Sequence, residues 1–207
     1  MTTNYIVGFS VLGALALLTL VGVFKDARKD FRINEWILAG FAALVIGLNF
    51  IPTIVWGGFS FRIGTMILLV GALGLHLVGG KGVNKIFALL LTVILTGITY
   101  GVTRIAYMFS GETMWSDVNW VYALVVGLVA FLFTRNAKYG FISGVVSMFG
   151  AHVLASIGGE GISLEPAFSP SIIAGGFAMV LYVLVKIFVP KRPSKAAYYF
   201  EAGRLED

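Results

Sequence analysis

Ile86–Met108 reads IFALLLTVILTGITYGVTRIAYM, and this stretch decides how the chain must be solvated. It is apolar except near one end and exceeds the ~20 residues that a helix needs to cross a bilayer. At 100° per residue, Gly97, Tyr100, Gly101, Arg104 and Tyr107 share a stripe, while Leu91, Val93 and Leu95 lie mostly elsewhere. Gly97 and Gly101 form a GxxxG step, which lets a second helix approach closely. Arg104 follows one turn later, so the packed face and the charged face of this helix are expected to coincide.

The rest of the chain has the same character. Of its 207 residues 58% are hydrophobic and 12% charged, with a mean hydropathy of +0.94. A soluble domain carries about 25% charged residues, so lipid is the expected solvent. The 26 glycines suit membrane helices, where glycine is more frequent. Cysteine is absent, which excludes disulfides, thiolate metal sites and a cysteine nucleophile. No low-complexity run or composition shift divides the chain, so one domain is expected.

The reading outward from Ile86–Met108 is an all-α, polytopic integral membrane protein with seven transmembrane helices. The spans run over about 5–24, 35–56, 61–78, 86–108, 118–134, 139–157 and 171–189, within a single domain of residues 1–190. A polar cytoplasmic tail follows, 191–207. The first apolar run has no positive n-region before it and no small-residue cleavage site after it, so a retained helix is expected rather than a signal peptide. In the second, Pro52 removes a helical hydrogen bond and predicts a kink. Gly57-Gly58 reads as a tight turn. In the third, Arg62, Thr65, Ala72 and His76 lie on one stripe that should face protein. The sixth carries a second GxxxG step, Gly140/Gly144, with Ser143, Ser147 and Ala151 on the same face.

Charge tests the threading. Thirteen of the 15 basic residues fall in alternate loops: Lys25, Arg28, Lys29 and Arg32; Lys81 and Lys85; Arg135 and Lys138; and Lys186 with the tail. Only Arg62 and Arg104 fall on the other side, where Glu112, Asp117, Glu160 and Glu165 also lie. The positive-inside rule then puts the N-terminus outside and the C-terminus in the cytoplasm. Trp36 falls at an inner boundary and Trp56, Trp115 and Trp120 at outer ones, as an aromatic belt requires. The net charge of +5 is thereby accounted for by cytoplasmic loops, so no nucleic acid is expected as a partner.

Little in the sequence resembles catalytic machinery. No Asp or Glu lies within an apolar core, which leaves no carboxylate proton relay and no paired-carboxylate hydrolase. HExxH, GxSxG and the P-loop pattern are missing. A covalent retinal site needs a lysine midway along the last helix, and Lys186 is near its end. No enzyme activity, cofactor or metal is expected. His76 and His152 fall at opposite depths of their helices and should not share a ligand; each is expected to be an interhelical, hydrogen-bonded histidine.

The outer half holds the more interesting group. Asn49, Tyr100 and His152 fall at one level, with Arg62 and Arg104 just above. Neutral donors beneath two arginines suit an anionic group entering from outside. The alternative pairs each arginine with a loop carboxylate, among Glu112, Asp117, Glu160 and Glu165, and pins the outer loops. Two functions follow, with a lipid-modifying enzyme ranked below both. The first is a non-enzymatic membrane protein that works by packing, through Gly97/Gly101 and Gly140/Gly144, with lipid, other membrane proteins or copies of itself. The second is a small transporter or channel for an anionic or polar solute that binds at Arg62, Arg104, Asn49, Tyr100 and His152. Short loops and the lack of cysteine point to a bacterial plasma membrane.

Overall fold

The computed structural model describes residues 3–78, 82–110, 120–157 and 161–189. Helices dominate: α1 (Thr3–Leu20), α2 (Lys25–Phe31), α3 (Glu35–Leu48), α4 (Ile63–Leu77), α5 (Gly82–Ser110), α6 (Val121–Thr134), α7 (Ala137–Ser156) and α8 (Phe168–Phe188). Three short strands join them: β1 (Ile54–Trp56), β2 (Phe59–Phe61) and β3 (Ile162–Ser163). The seven longer helices overlap the seven expected segments. The strands and α2 were not expected, because the apolar runs were read as helix and the charged segment after Phe24 as loop.

Each departure has a local cause. α1 stops at Gly22, whose φ of 89° is open to glycine. Val23 N–H donates to Leu18 O at 3.0 Å and Gly22 N–H to Thr19 O at 3.2 Å, the paired bonds of a Schellman cap. The chain then bends by 86° into α2. That helix buries Ala27 and Phe31, next to the buried Phe24 just before it, and leaves Lys25, Asp26 and Lys29 exposed, an amphipathic element lying across the end of the bundle.

The expected second span, 35–56, is corrected: the helix ends at Leu48. Asn49 folds its side chain back, its Nδ2 donating to Val45 O at 2.9 Å, and closes the last turn. Pro52 therefore lies beyond the helix and kinks nothing. The remaining apolar residues form the first strand of a hairpin, with Ile54 opposite Phe61 and Trp56 opposite Phe59. Gly57 and Gly58 have φ of 55° and 83°, the left-handed pair that a two-residue type I′ turn demands. β3 adds to β2 in parallel, and Leu164 N–H donates to Ser60 O at 2.9 Å.

The long helices run alternately up and down. One end of the bundle carries the hairpin. The other, the basic end, carries α2, Lys85, Arg135, Lys138 and Lys186. α7 is central and packs on α8, α5, α6 and α4. Small residues set these distances: a Cβ on Gly144 would lie 2.8 Å from Gly175 N and 2.9 Å from Ala174 C. The Gly140/Gly144 step is thus closed on α8.

α5 turns a different face inward than expected. Ala88, Leu91, Leu95, Thr99 and Thr103 are buried, while Gly97 and Arg104 are exposed. The reason lies in the hydroxyls. Thr92 donates to Ala88 O at 2.7 Å and also lies 3.0 Å from Ser143 Oγ on α7. Thr96 donates to Thr92 O at 2.8 Å and sits against Gly150, where a Cβ would meet its Cγ2 at 2.8 Å. The serine- and glycine-bearing face of α7 takes this threonine ridge, and the Gly97/Gly101 step is left outside.

Among the described residues three helices are long and apolar enough to cross a membrane, Gly82–Ile105, Ala137–Ser156 and Phe168–Phe188; a fourth is gained if bent α1–α2 is one span. α3, α4 and α6 are apolar but have 14, 15 and 14 residues, about 21 Å each against a ~30 Å hydrocarbon core. Outward-facing Ile86, Leu90, Val93, Ile94 and Ile98 on α5 are each more than half exposed. An apolar surface of that extent is compatible with membrane integration.

Candidate functional site

The polar residues at the hairpin end gather around Arg62, the residue just before α4. Its Nε donates to Glu165 Oε1 at 3.2 Å and its Nη1 to Asn49 O at 2.8 Å. Its guanidinium carbon stands 4.5 Å from the centre of the Tyr5 ring. Thr53 Oγ1 also donates to Glu165 Oε1. One side chain therefore ties the start of α1, the end of α3, the hairpin and the segment before α8. Guanidinium geometry suits this, since it presents several donors in a fixed fork and stacks on aromatic faces.

Asn49 lies directly beneath and is fully buried. Its Oδ1 accepts from Thr65 Oγ1 at 2.9 Å while its Nδ2 serves Val45 O. α4 can come this close because Gly64 faces Val45 O and the Asn49 amide, where a Cβ would collide. Thr65 and Ala72 are buried as the polar stripe of the third segment predicts. Tyr5 stacks on Phe168, with ring centroids 5.1 Å apart, and closes the cluster from the α1 side.

His152 reaches the same region from α7. Its Nε2 is hydrogen-bonded to Ser163 O on β3, two residues before Glu165. It therefore positions the strand that carries Arg62's partner. His76 lies at the other end, its ring edge-on to Tyr139 with centroids 6.0 Å apart. Tyr139 and His152 are thirteen residues apart on α7, about 20 Å, so the two histidines occupy opposite ends of the bundle.

Tyr100 and Arg104 form a separate pair on α5. The Arg104 guanidinium lies 5.9 Å from the Tyr100 ring centroid, and Arg104 is exposed on a helix packed mainly on α7 and α6. Of the five residues expected at one site, the fold thus gathers Asn49 and Arg62 directly and His152 through β3. Glu165 is one of the four carboxylates named from the sequence as arginine partners; Glu112, Asp117 and Glu160 lie outside the described residues. Tyr5 and Thr53 were missed. Both sit at segment ends, where helical periodicity carries no signal, although a tyrosine at the start of an apolar run is an interface marker.

Among the described residues no group of three or more His, Asp or Glu side chains could hold a metal ion. Chemically the arrangement is a clasp. It has a buried amide, a guanidinium with three kinds of partner and a carboxylate shared by two donors, and each group is engaged by another part of the chain. Compared with known protein families, characterised proteins and solved structures, the chain matches none.

Proposed function

We propose that the chain is a seven-span integral membrane protein, N-terminus outside and tail in the cytoplasm, which works by helix packing with protein or lipid partners rather than by chemistry of its own. The host is a bacterial plasma membrane. The observation that carries this reading is the contrast between two glycine steps. A Cβ on Gly140 or Gly144 would meet α8, whereas around Gly97 and Gly101 nothing lies within 4 Å. In lipid, such a step favours close approach of another helix.

The Arg62 clasp supports the same reading. An anion-binding site for transport needs donors with free capacity facing a water-filled path. Here the Asn49 amide is fully buried and engaged by Val45 and Thr65, and Arg62 is engaged by Glu165, Asn49 and Tyr5. On this reading a second copy of the chain packs against the exposed apolar side of α5.

Förster transfer between donor- and acceptor-labelled copies in bilayers tests this. Wild-type protein should show transfer above the level of random mixing, and Gly97→Leu/Gly101→Leu should bring it down to that level. Equal transfer in the two proteins would remove α5 as the packing face.

A further inference from the structure

The basic end holds a cluster of like charge. Lys138 is 2% exposed, although the sequence reading leaves it in a loop. Its Nζ donates to Val78 O and stands 5.4 Å from the Tyr139 ring centre. Lys85 donates to the neighbouring carbonyl, Leu77 O, at 2.7 Å, so the two ammonium groups flank the same end of α4. The charges that act on Lys138 are Lys85 and Arg32, and those that act on His76 are Lys138 and Lys85.

Carbonyls at the end of α4 account for one donor on each ammonium. A lysine carries three. Asp30, a carboxylate on α2 at this end, accepts from Ala137 N–H at 3.2 Å and from the Tyr182 hydroxyl. Asp26 pairs with Lys29 at 2.7 Å. The Tyr139 hydroxyl is buried and has no hydrogen-bond partner among the described residues. Lys85 and Arg32 stand on the accessible side of this group, and cations so placed are donors for an anion.

An apolar cleft begins beside this cluster. It has a volume of about 160 Å³ and runs between α3 and α4, lined by Ile33, Ile37, Leu38, Phe41, Gly71 and Leu75. Ile33 follows Arg32 directly, and Leu75 also packs against the Tyr139 group. A deeper cavity of about 60 Å³ shares Leu38, Phe41 and Leu75 and extends towards α1 and α8. Gly71 admits the Phe41 ring, which a Cβ would displace.

We propose that the Arg32–Lys85–Lys138 cluster and the α3–α4 cleft form one site for an anionic phospholipid. The phosphate lies against Arg32 and Lys85, with Lys138 buried behind them, and one acyl chain lies in the cleft. Charge complementarity selects the occupant: a cation cluster at a helix end, continuous with a wholly apolar crevice, matches a phosphate joined to hydrocarbon and not a free solute. Arg32 holds a left-handed backbone, with φ of 56°, which is uncommon outside glycine and asparagine.

This site rests on the membrane reading above and deepens it by naming the lipid partner. The test uses full-length protein extracted in detergent and mixed with phosphatidylglycerol, with phosphatidylcholine or with inorganic phosphate, bound molecules being counted by native mass spectrometry. Phosphatidylglycerol should be retained in preference to phosphatidylcholine. Arg32→Asn/Lys85→Gln, which keeps the turn and alters only side chains outside the buried core, should weaken that retention about tenfold or more and leave phosphatidylcholine unchanged. Ile37→Trp, which fills the cleft, should lower retention with the charges intact. Equal phosphatidylglycerol retention by wild type and Arg32→Asn/Lys85→Gln, or displacement by inorganic phosphate alone, overturns the site while leaving the membrane reading in place. A chain that dissolves without detergent overturns both.

Discussion

Arg62 and Glu165 lie 103 residues apart in the chain and 3.2 Å apart in space. Their side chains are 19% and 26% exposed, so the pair is shielded but not desolvated. Its value comes from what each partner also holds: Asn49 O on the arginine side and Thr53 on the carboxylate side. Arg62→Ala should therefore cost more than the pair alone, about 2 kcal/mol, because Asn49 O loses its donor as well. Glu165→Gln keeps an acceptor for both donors and should cost about 1 kcal/mol or less. Thermal unfolding in detergent, read by circular dichroism, measures the difference; equal losses would mean that the ion pair itself dominates.

Two glycines on neighbouring helices should respond oppositely to the same substitution. In Gly144→Ala the new methyl meets the α8 backbone at 2.8–3.0 Å, and backbone cannot rotate away. Helix separation should cost about 1–3 kcal/mol. In Gly101→Ala of the monomeric protein in detergent the methyl enters open space, and the helix gains from alanine's propensity by up to about 1 kcal/mol. Unfolding midpoints of the two variants should lie on either side of wild type.

The hairpin turn makes a third case. Gly58 has φ of 83° and its carbonyl accepts from Ile162 N–H at 2.9 Å, so the turn holds β3 as well as β1. Gly58→Val forces a β-branched residue into the left-handed region at a cost of about 1–3 kcal/mol. Because β3 also carries Ser163, the partner of His152, amide exchange at Ile162 and Leu164 should rise along with exchange in the hairpin. Exchange confined to residues 54–61 would show that β3 is held by other contacts.

Solute passage is tested separately. On the packing account, vesicles containing the protein should take up small carboxylates and phosphate no faster than empty vesicles, and Arg104→Ala should change nothing. Uptake above background that Arg104→Ala abolishes, with the protein still folded in the bilayer, would restore the transport reading.

Apolar run length carried most of the fold. Each long helix lies on an expected segment because a stretch of fifteen to twenty apolar residues has few other ways to satisfy its backbone away from water. What stayed hidden is what run length cannot encode. Ile54–Trp56 is as apolar as the helix before it, and only the Asn49 contacts to Val45, Thr65 and Arg62 end that helix. The two faces of α5 were exchanged because small residues were taken as the packing signal, whereas the threonine ridge finds Ser143 and Gly150 on α7. Lys138 was read as a loop charge because its partner, Val78 O, lies at the end of a different helix. At the hairpin end, Arg62 and Glu165 were both legible as charges on one side; that they meet depends on the β2–β3 register, which no periodicity reports.

The threading is the claim on which everything else depends, and single cysteines in this cysteine-free chain test it most directly. Ser116→Cys, between α5 and α6, should react with a membrane-impermeant maleimide in intact cells. Lys29→Cys, on the exposed side of α2, should react only after the membrane is opened. Labelling of Lys29→Cys in intact cells, or protection of Ser116→Cys there, would contradict the orientation and with it the assignment of the basic end to the cytoplasmic leaflet.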